Sequence, residues 1–212
     1  HLQEFDSALS IVAPTLLVNY AGKTIDFSTT TGFVWWKTDD LTDLDYTPLP
    51  LIRRANAEDN RQFTQEFRVA SARNAGRALS DRVTLRWQAG LFLFSQAYTQ
   101  DAVNSFSPFV LSQFLPFAID QHSPEAALDD RGVGAYGRAT FTFNQRFDAS
   151  VGLRADRENK AATLNTFFAP AIAPASAVKA ERSFNDVSPQ FTASYRLRSD
   201  NTVYGAAARG FK

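Results

Sequence analysis

Few residues in this sequence could carry catalytic or cofactor chemistry, and they are scattered. Apart from His1 at the start, His122 is the only histidine, and the chain contains no cysteine. A zinc site or a Ser-His nucleophile needs companion ligands or a base nearby, and no second His or Cys lies near His122 in the sequence. We therefore predict no catalytic residue, no metal site and no cofactor-binding residue.

Three glycines reproduce the spacing GxGxxG, namely Gly132, Gly134 and Gly137. A dinucleotide site needs that run between a strand and the start of a helix. Here an alternating pattern that includes Thr140 and Phe141 follows the glycines, which favours a strand. We interpret the glycines as small residues where neighbouring strands, or a domain enclosed by them, approach closely.

Two acidic pairs could in principle bind calcium at the mouth of a loop. They are Asp39-Asp40 and Asp129-Asp130. Such pairs are more often solvated ends of strands, and we interpret both in this way. The 22 basic and 22 acidic residues of the chain cancel, which argues against a nucleic-acid surface.

The stretch 131–156, RGVGAYGRATFTFNQRFDASVGLRAD, shows which elements must position the charged side chains. Apolar and polar residues alternate on both sides of Asn144-Gln145-Arg146. Because side chains of a strand point alternately to opposite faces, the stretch predicts a long hairpin with one apolar and one polar face. Each arm has the length of a strand that crosses a membrane at a tilt.

Similar alternation predicts about eight strands along the whole chain. Tight turns near Gly22, Gln145 and Asp200 and a modest connection at 71–81 alternate with three predicted long loops, residues 39–60, 99–130 and 157–182. Pro14 predicts an edge or bulged first strand. Short turns at one rim, long loops at the other and no long apolar run are typical of an outer-membrane β-barrel. Aromatic residues beside the tight turns predict one interfacial girdle: Tyr20, Phe27, Phe143, Phe147, Tyr195 and Tyr204.

The two faces of these strands are predicted to meet different environments, the lumen of the barrel on one side and lipid on the other. An arginine facing lipid costs about 2–4 kcal/mol at the membrane midplane, so charged residues should face the lumen. The predicted lumen-facing residues are Glu66, Arg68, Arg86, Arg138, Arg154, Asp156, Arg196 and Arg209. On the other face, Leu85, Trp87, Leu91, Val151 and Leu153 should contact lipid. Cross-strand pairing and contact with an enclosed domain would explain the charges, and ligand recognition is a second interpretation.

Four segments, in order, resemble one family of receptors. They are residues 64–71 (TQEFRVAS), 86–92 (RWQAGLF), 134–137 (GAYG) with 147–156 (FDASVGLRAD), and 187–191 (VSPQF) with 203–205 (VYG) and 208–212 (ARGFK). Together they resemble the barrel strands of TonB-dependent outer-membrane receptors over nearly all of residues 25–212. No single segment is decisive, but their order and spacing make the resemblance specific.

The resemblance implies an antiparallel transmembrane barrel of about 22 strands with a plugged lumen, of which residues 1–212 form about eight strands. It implies a transporter in the outer membrane of a Gram-negative bacterium that imports a scarce nutrient with energy relayed by the TonB complex. The implied partners are membrane lipid, a plug domain, TonB through an N-terminal segment outside this sequence, and a small nutrient ligand. Receptors with this type of barrel wall import siderophore-iron, haem, cobalamin or oligosaccharide, so the resemblance leaves all four ligand classes open.

Two other functions remain open from the residues alone. An outer-membrane barrel enzyme would need a Ser-His or Asp-His pair at the loop rim, and His122 is the only candidate base. A small eight-stranded barrel, soluble or in a membrane, could bind an apolar ligand. Its soluble form would hold the apolar face inside and the charged face in water.

Overall fold

The computed structural model describes residues 6–72 and 75–210, and these form one antiparallel sheet. The sheet follows the order β1-β3-β4-β6-β7-β8-β9-β10, while β2 also pairs with β3 and β5 pairs with β6. No helix of the described residues is long and apolar enough to cross a membrane. The prediction of an all-β antiparallel fold is confirmed. The strands are β1 (Asp6–Val12), β2 (Thr15–Ala21), β3 (Ile25–Asp43), β4 (Ile52–Ser71), β5 (Arg77–Ser80), β6 (Val83–Phe106), β7 (Ile119–Phe143), β8 (Phe147–Ala169), β9 (Ser176–Arg196) and β10 (Thr202–Ala208).

The first predicted strand lies at an edge of the sheet, as predicted from Pro14, and it is also interrupted there. Both β1 and β2 pair with β3, and the break between them falls at Ala13 and Pro14. Pro14 has no N–H to donate, but its carbonyl still accepts a hydrogen bond of 3.1 Å from the Phe33 N–H. The connection 71–81 contains the short β5, and its residues 73–74 lie outside the described residues. So do Phe211 and Lys212 at the end of the last predicted strand.

The three long loops were predicted wrongly, because most of their residues belong to strands. Strand β3 continues to Asp43 and β4 begins at Ile52, so the connection is only 44–51 instead of 39–60. The connection predicted at 99–130 is reduced to 107–118, and the one predicted at 157–182 is reduced to 170–175. The rim with loops is therefore built from paired strands that extend beyond the apolar part of the sheet.

The sequence pattern fails in these extensions because both faces there are polar. On β8, for example, Arg157, Glu158, Asn159 and Lys160 follow one another, so no apolar residue marks a face. The backbone is nevertheless paired, since Arg157 lies opposite Val133 on one side and Asn185 on the other. A strand with water on both faces keeps its ladder of hydrogen bonds without showing hydrophobic alternation.

Strand register places the predicted lipid contacts on one face, here called the apolar face. Trp87 lies opposite Ala139, which lies opposite Val151, which lies opposite Phe191. By the same register, Leu85, Leu91 and Leu153 share this face. Val151 is 49% exposed and Phe191 57%, whereas Ser150 on the opposite, polar face is only 4% exposed. The apolar face is therefore the uncovered one, the reverse of a water-soluble sheet packed on a core.

The observed sheet also differs from a closed eight-stranded barrel. Within the described residues, β10 pairs only with β9, and β1 and β2 pair only with β3. The apolar face points away from the better-covered polar face. The alternative of a closed soluble barrel with an apolar interior is therefore not the observed structure.

The aromatic girdle forms on the apolar face with one exception. Tyr20 pairs with Phe27, and Phe147 pairs with both Phe143 and Tyr195. The rings of Phe143 and Phe147 are 5.8 Å apart between centroids. Tyr204 was expected in this girdle, but it pairs with Ser194 and therefore lies on the polar face. That part of the prediction is wrong, because the register of β10 places Val203 rather than Tyr204 on the apolar face.

Candidate functional site

The predicted lumen-facing residues converge on the polar face of the sheet. Glu66 and Arg68 lie on β4, Arg86 on β6, Arg138 on β7, Arg154 and Asp156 on β8, and Arg196 on β9. The register gives all seven the same face as Ser150. The eighth, Arg209, lies just beyond β10. Its Nη2 atom is 3.7 Å from Oδ1 of Asp186, so its side chain reaches the same face.

Five side chains of the polar face form a central cluster: Glu66, Phe92, Tyr136, Arg154 and Asp156. The Tyr136 hydroxyl donates a hydrogen bond to Oε1 of Glu66. The Arg154 Nε lies 2.7 Å from Oδ2 of Asp156, and its guanidinium carbon is 5.8 Å from the Phe92 ring centroid. The hydrogen bond links β7 to β4 and the ring contact links β8 to β6, so the cluster holds charged groups in a fixed pattern across four strands.

Glycines create the space that this cluster occupies. The Tyr136 ring crosses β6 at Gly90, and a Cβ atom there would overlap the ring. At Gly134, a Cβ would overlap Oδ1 of Asp156, whereas at Gly132 and Gly137 it would meet only ordinary contacts of 3.7 and 3.8 Å. All three GxGxxG glycines lie within β7. Of these three glycines, Gly134 is the one that other described residues approach closely, and the approaching group is the Asp156 side chain.

Three arginines near the tight turns form a second group, the turn-side arginines Arg68, Arg86 and Arg138. They line one cleft together with Asn19, Asp26 and Ser28. Arg68 donates to Gln88 at 2.7 Å and Arg138 to Thr192 at 2.9 Å. Within the described residues, none of the three lies within 4.0 Å of a carboxylate. The cleft lining holds three arginines against the single carboxylate of Asp26, so its net charge is positive and an anionic group would be stabilised there.

A third group, the amide cluster, lies on the polar face beyond the apolar part of the sheet. It consists of Asn56, Glu58, Tyr98 and Gln100. The Glu58 Oε1 accepts hydrogen bonds from the Tyr98 hydroxyl at 2.9 Å and from the amides of Asn56 and Gln100 at 3.0 and 3.1 Å. The Trp36 ring lies 6.0 Å from the Tyr98 ring. Aromatic rings beside satisfied amides make a surface that can stack on and hydrogen-bond a polar ligand.

Sequence reasoning missed the amide cluster because half of it lay in the predicted loop 39–60. A signal was present: polar side chains recur at every second position from Arg54 through Asn56 and Glu58 to Asn60. The same period continues on β6 at Gln96, where the amide donates to Asn60 at 2.8 Å. Polar residues at every second position are compatible with a strand, although the residues between them are not consistently apolar.

Raising the pH is expected to weaken the amide cluster only under strongly alkaline conditions. Burial of the phenol, and then its hydrogen bond to Glu58, raise the pKa of Tyr98 to about 12. A raised tyrosine pKa favours the neutral form in the folded state. Its contribution to stability is therefore complete below the ordinary tyrosine pKa near 10 and is lost as the pH rises through about 12.

Ultraviolet difference titration of the protein and its Tyr98→Phe variant should isolate this group. We expect the variant to lack one tyrosinate that appears near pH 12. A Tyr98 signal that appears with exposed tyrosines near pH 10 would contradict the hydrogen bond to Glu58.

The remaining candidates for chemistry have structural surroundings. His122 lies on β7 and stacks on Phe167 at 4.8 Å between ring centroids. Asp39 lies 3.5 Å from the Lys37 ammonium, and Asp130 lies 3.1 Å from that of Lys160. Both acidic pairs lie within strands, on β3 and β7, and not at strand ends as predicted. The part of the chain that the structure describes contains no group of three or more His, Asp or Glu residues that could hold a metal ion.

Comparison with known proteins gives a family match for the sequence and structural matches for this sheet. A family model described as TonB dependent receptor-like, beta-barrel matches residues 10–212. The solved structure of the ferric yersiniabactin uptake receptor FyuA from Yersinia pestis is similar, with a TM-score of 0.71 at 15% sequence identity. That similarity covers 93% of this chain and 27% of FyuA, so the chain spans about a quarter of that receptor. A search of curated proteins found no match.

Proposed function

Because the chain belongs to the family of TonB dependent receptor-like β-barrels, we propose that it forms part of the wall of an outer-membrane transporter. In this proposal the transporter binds a scarce nutrient outside a Gram-negative cell and imports it with energy relayed by TonB. The remaining strands and a plug domain complete the barrel and fill its lumen. The family is one of receptors and transporters, and we assign no catalytic role to this chain.

The observation that carries the proposal is the inverted burial of the sheet. Large apolar side chains such as Leu153, which is 54% exposed, line the apolar face without a protein layer over them. On β8 this apolar stretch runs from Phe147 to Ala155 before Arg157 appears on the same face. A tilted strand needs about 9–11 residues to cross the hydrocarbon core, so the length of the stretch supports a membrane span.

The polar face then forms the wall of the lumen. The central cluster is internally paired, which supports a structural role in holding neighbouring strands. The turn-side arginines lack carboxylate partners within the described residues, which supports contact with acidic groups of the plug domain. The amide cluster lies on the loop side of the membrane span, where an incoming ligand would first meet the wall. Siderophore-iron, haem, cobalamin and oligosaccharide remain the ligand classes of this proposal, and FyuA, a ferric yersiniabactin receptor, shares the fold.

Growth on the nutrient tests the proposal. A deletion strain complemented with the full-length receptor carrying this segment should grow on its ligand only when TonB is functional. Residues 1–212 alone should not restore growth, because each backbone N–H or C=O left unpaired at a strand edge in hydrocarbon costs several kcal/mol. Uptake by the isolated segment, or TonB-independent uptake by the whole receptor, would show that the proposed function is wrong.

A further inference from the structure

Basic residues mark the loop-side edge of the apolar face. They are Lys37 on β3, Arg61 on β4, Arg131 on β7 and Arg157 on β8, and we call them the basic belt. Each is the first charged side chain met on this face when its strand is followed away from the tight turns. The acidic residues of this face, such as Asp129, lie at or beyond the belt. On β6 and β9 the first charged residues of this face are Asp101 and Glu181, which lie beyond the belt. At the level of the belt itself, the edge of the apolar face is therefore marked by positive charge.

The belt climbs across the sheet in regular steps. Arg157 lies opposite Val133, and Arg131 is two residues further towards the loops. Arg61 lies opposite Ala97, which is opposite Asp129, two residues beyond Arg131. Lys37 is opposite Asp59, a further two residues on. From β8 to β3 the belt thus rises about six residues, roughly 20 Å, across four strand spacings of roughly 19 Å in total.

These two lengths correspond to a slope of roughly 45°, which matches the tilt of strands in membrane barrels. When the strands are tilted by that angle, the four basic residues come to one level. A boundary that is oblique to the sheet but level in the membrane indicates that the basic belt follows the plane of the lipid headgroups.

Two members of the belt have no protein partner among the described residues. Lys37 lies 3.5 Å from Asp39, and Arg61 lies 3.2 Å from Asp59. By contrast, no hydrogen bond or ion pair is made by the exposed side chains of Arg131 and Arg157. Because Arg131 pairs with Asn159 and Arg157 with Val133, the two arginines are diagonal neighbours on adjacent strands. Side chains in that relation can contact one ligand.

We propose that Arg131 and Arg157 bind a phosphate group of an anionic membrane lipid in the outer leaflet. This inference rests on the proposed function, which places the loop side of the sheet outside the cell. Guanidinium groups bind phosphate through paired hydrogen bonds, and two adjacent ones suit a doubly charged headgroup. The acyl chains would lie along the apolar face below, against Val133 and Ala155, which precede the two arginines on the same face.

Lipid binding by the purified full-length receptor tests the site, with diphosphorylated lipid A as the probe and native mass spectrometry as the readout. The variant Arg131→Gln/Arg157→Gln should bind it about 30-fold more weakly, since each basic residue near an anionic surface contributes about 1 kcal/mol. The matched control is Arg53→Gln/Lys179→Gln. It removes the same charge from the same face far above the belt, so it should bind like the unaltered receptor. Equal weakening in both variants would overturn the site.

The unaltered receptor supplies a second test that does not depend on any variant. It should bind diphosphorylated lipid A more tightly than the dephosphorylated lipid, and millimolar inorganic phosphate should not displace the lipid. Equal affinity for both lipids, or full displacement by phosphate, would overturn a lipid-phosphate site.

A peptide tag near Ser112 should be detected on intact cells. If a tag at Gln145 were detected there instead, the orientation in the proposed function would be wrong, whereas the lipid affinities are measured independently of orientation.

Discussion

Replacing Phe191 with arginine is expected to destabilise the membrane-inserted receptor by about 2–4 kcal/mol, the cost of an arginine facing lipid near the midplane. Phe191 is 57% exposed on the apolar face and lies opposite Val151. It sits between the girdle residue Tyr195 and the polar Asn185 on its strand, so it lies near mid-depth. From this depth, the guanidinium group of an arginine must extend further to reach water than it would from a position near either rim.

The neighbouring residue provides a matched control at the same depth. Gln190 lies opposite Gly152 on the polar face, and Gln190→Arg should change the free energy of unfolding by less than about 0.5 kcal/mol. Guanidinium titration of each receptor refolded into phospholipid vesicles would measure both values. If Gln190→Arg were the more damaging substitution, the assignment of the two faces would be reversed.

Substituting alanine for Gly90 is expected to cost about 1–3 kcal/mol, a large effect for one added methyl group. The new Cβ would overlap the Tyr136 ring where it crosses β6. To make room, the ring must turn away and give up its hydrogen bond to Glu66. That loss would also release the Glu66 carboxylate from the central cluster.

A double-mutant cycle isolates this contact from a general effect of replacing glycine in a strand. In the background Tyr136→Ala, Gly90→Ala should become nearly neutral because no ring remains to be displaced. Gly137→Ala is the glycine control, since a Cβ there meets only the Gln88 carbonyl oxygen at 3.8 Å. Equal costs at Gly90 and Gly137, or a cost at Gly90 that persists without Tyr136, would rule out the proposed packing of Tyr136 over Gly90.

Alternation was a reliable guide wherever one face of the sheet is apolar and the other polar. It placed Trp87 and Val151 on one face and Arg86 and Ser150 on the other, and the register agrees. The edge position of the strand that contains Pro14 was also predictable, because a residue without an N–H cannot complete the ladder. The four segments that resemble TonB-dependent receptors lie in this same part of the sheet, and the family match covers it.

The alternation was no guide beyond the basic belt, where both faces are polar. Residues such as Glu58 and Lys160 looked like loop residues although they lie in paired strands. The amide cluster was missed for that reason. Tyr204 was misplaced for a different one, since the face of a residue in β10 depends on the register with β9 rather than on its own type.

By itself, the sequence determined the fold class, the family and the two faces of the sheet. It could do so because apolar and polar side chains alternate at every second residue, the contrast that the proposed position between lipid and lumen would impose. Only the tertiary structure decided which residues meet across strands. Tyr136 over Gly90 towards Glu66, Glu58 among its donors, and the oblique line of the basic belt all depend on register. Register is a relation between strands far apart in the chain, and the alternation within any one strand is compatible with every shift by two residues.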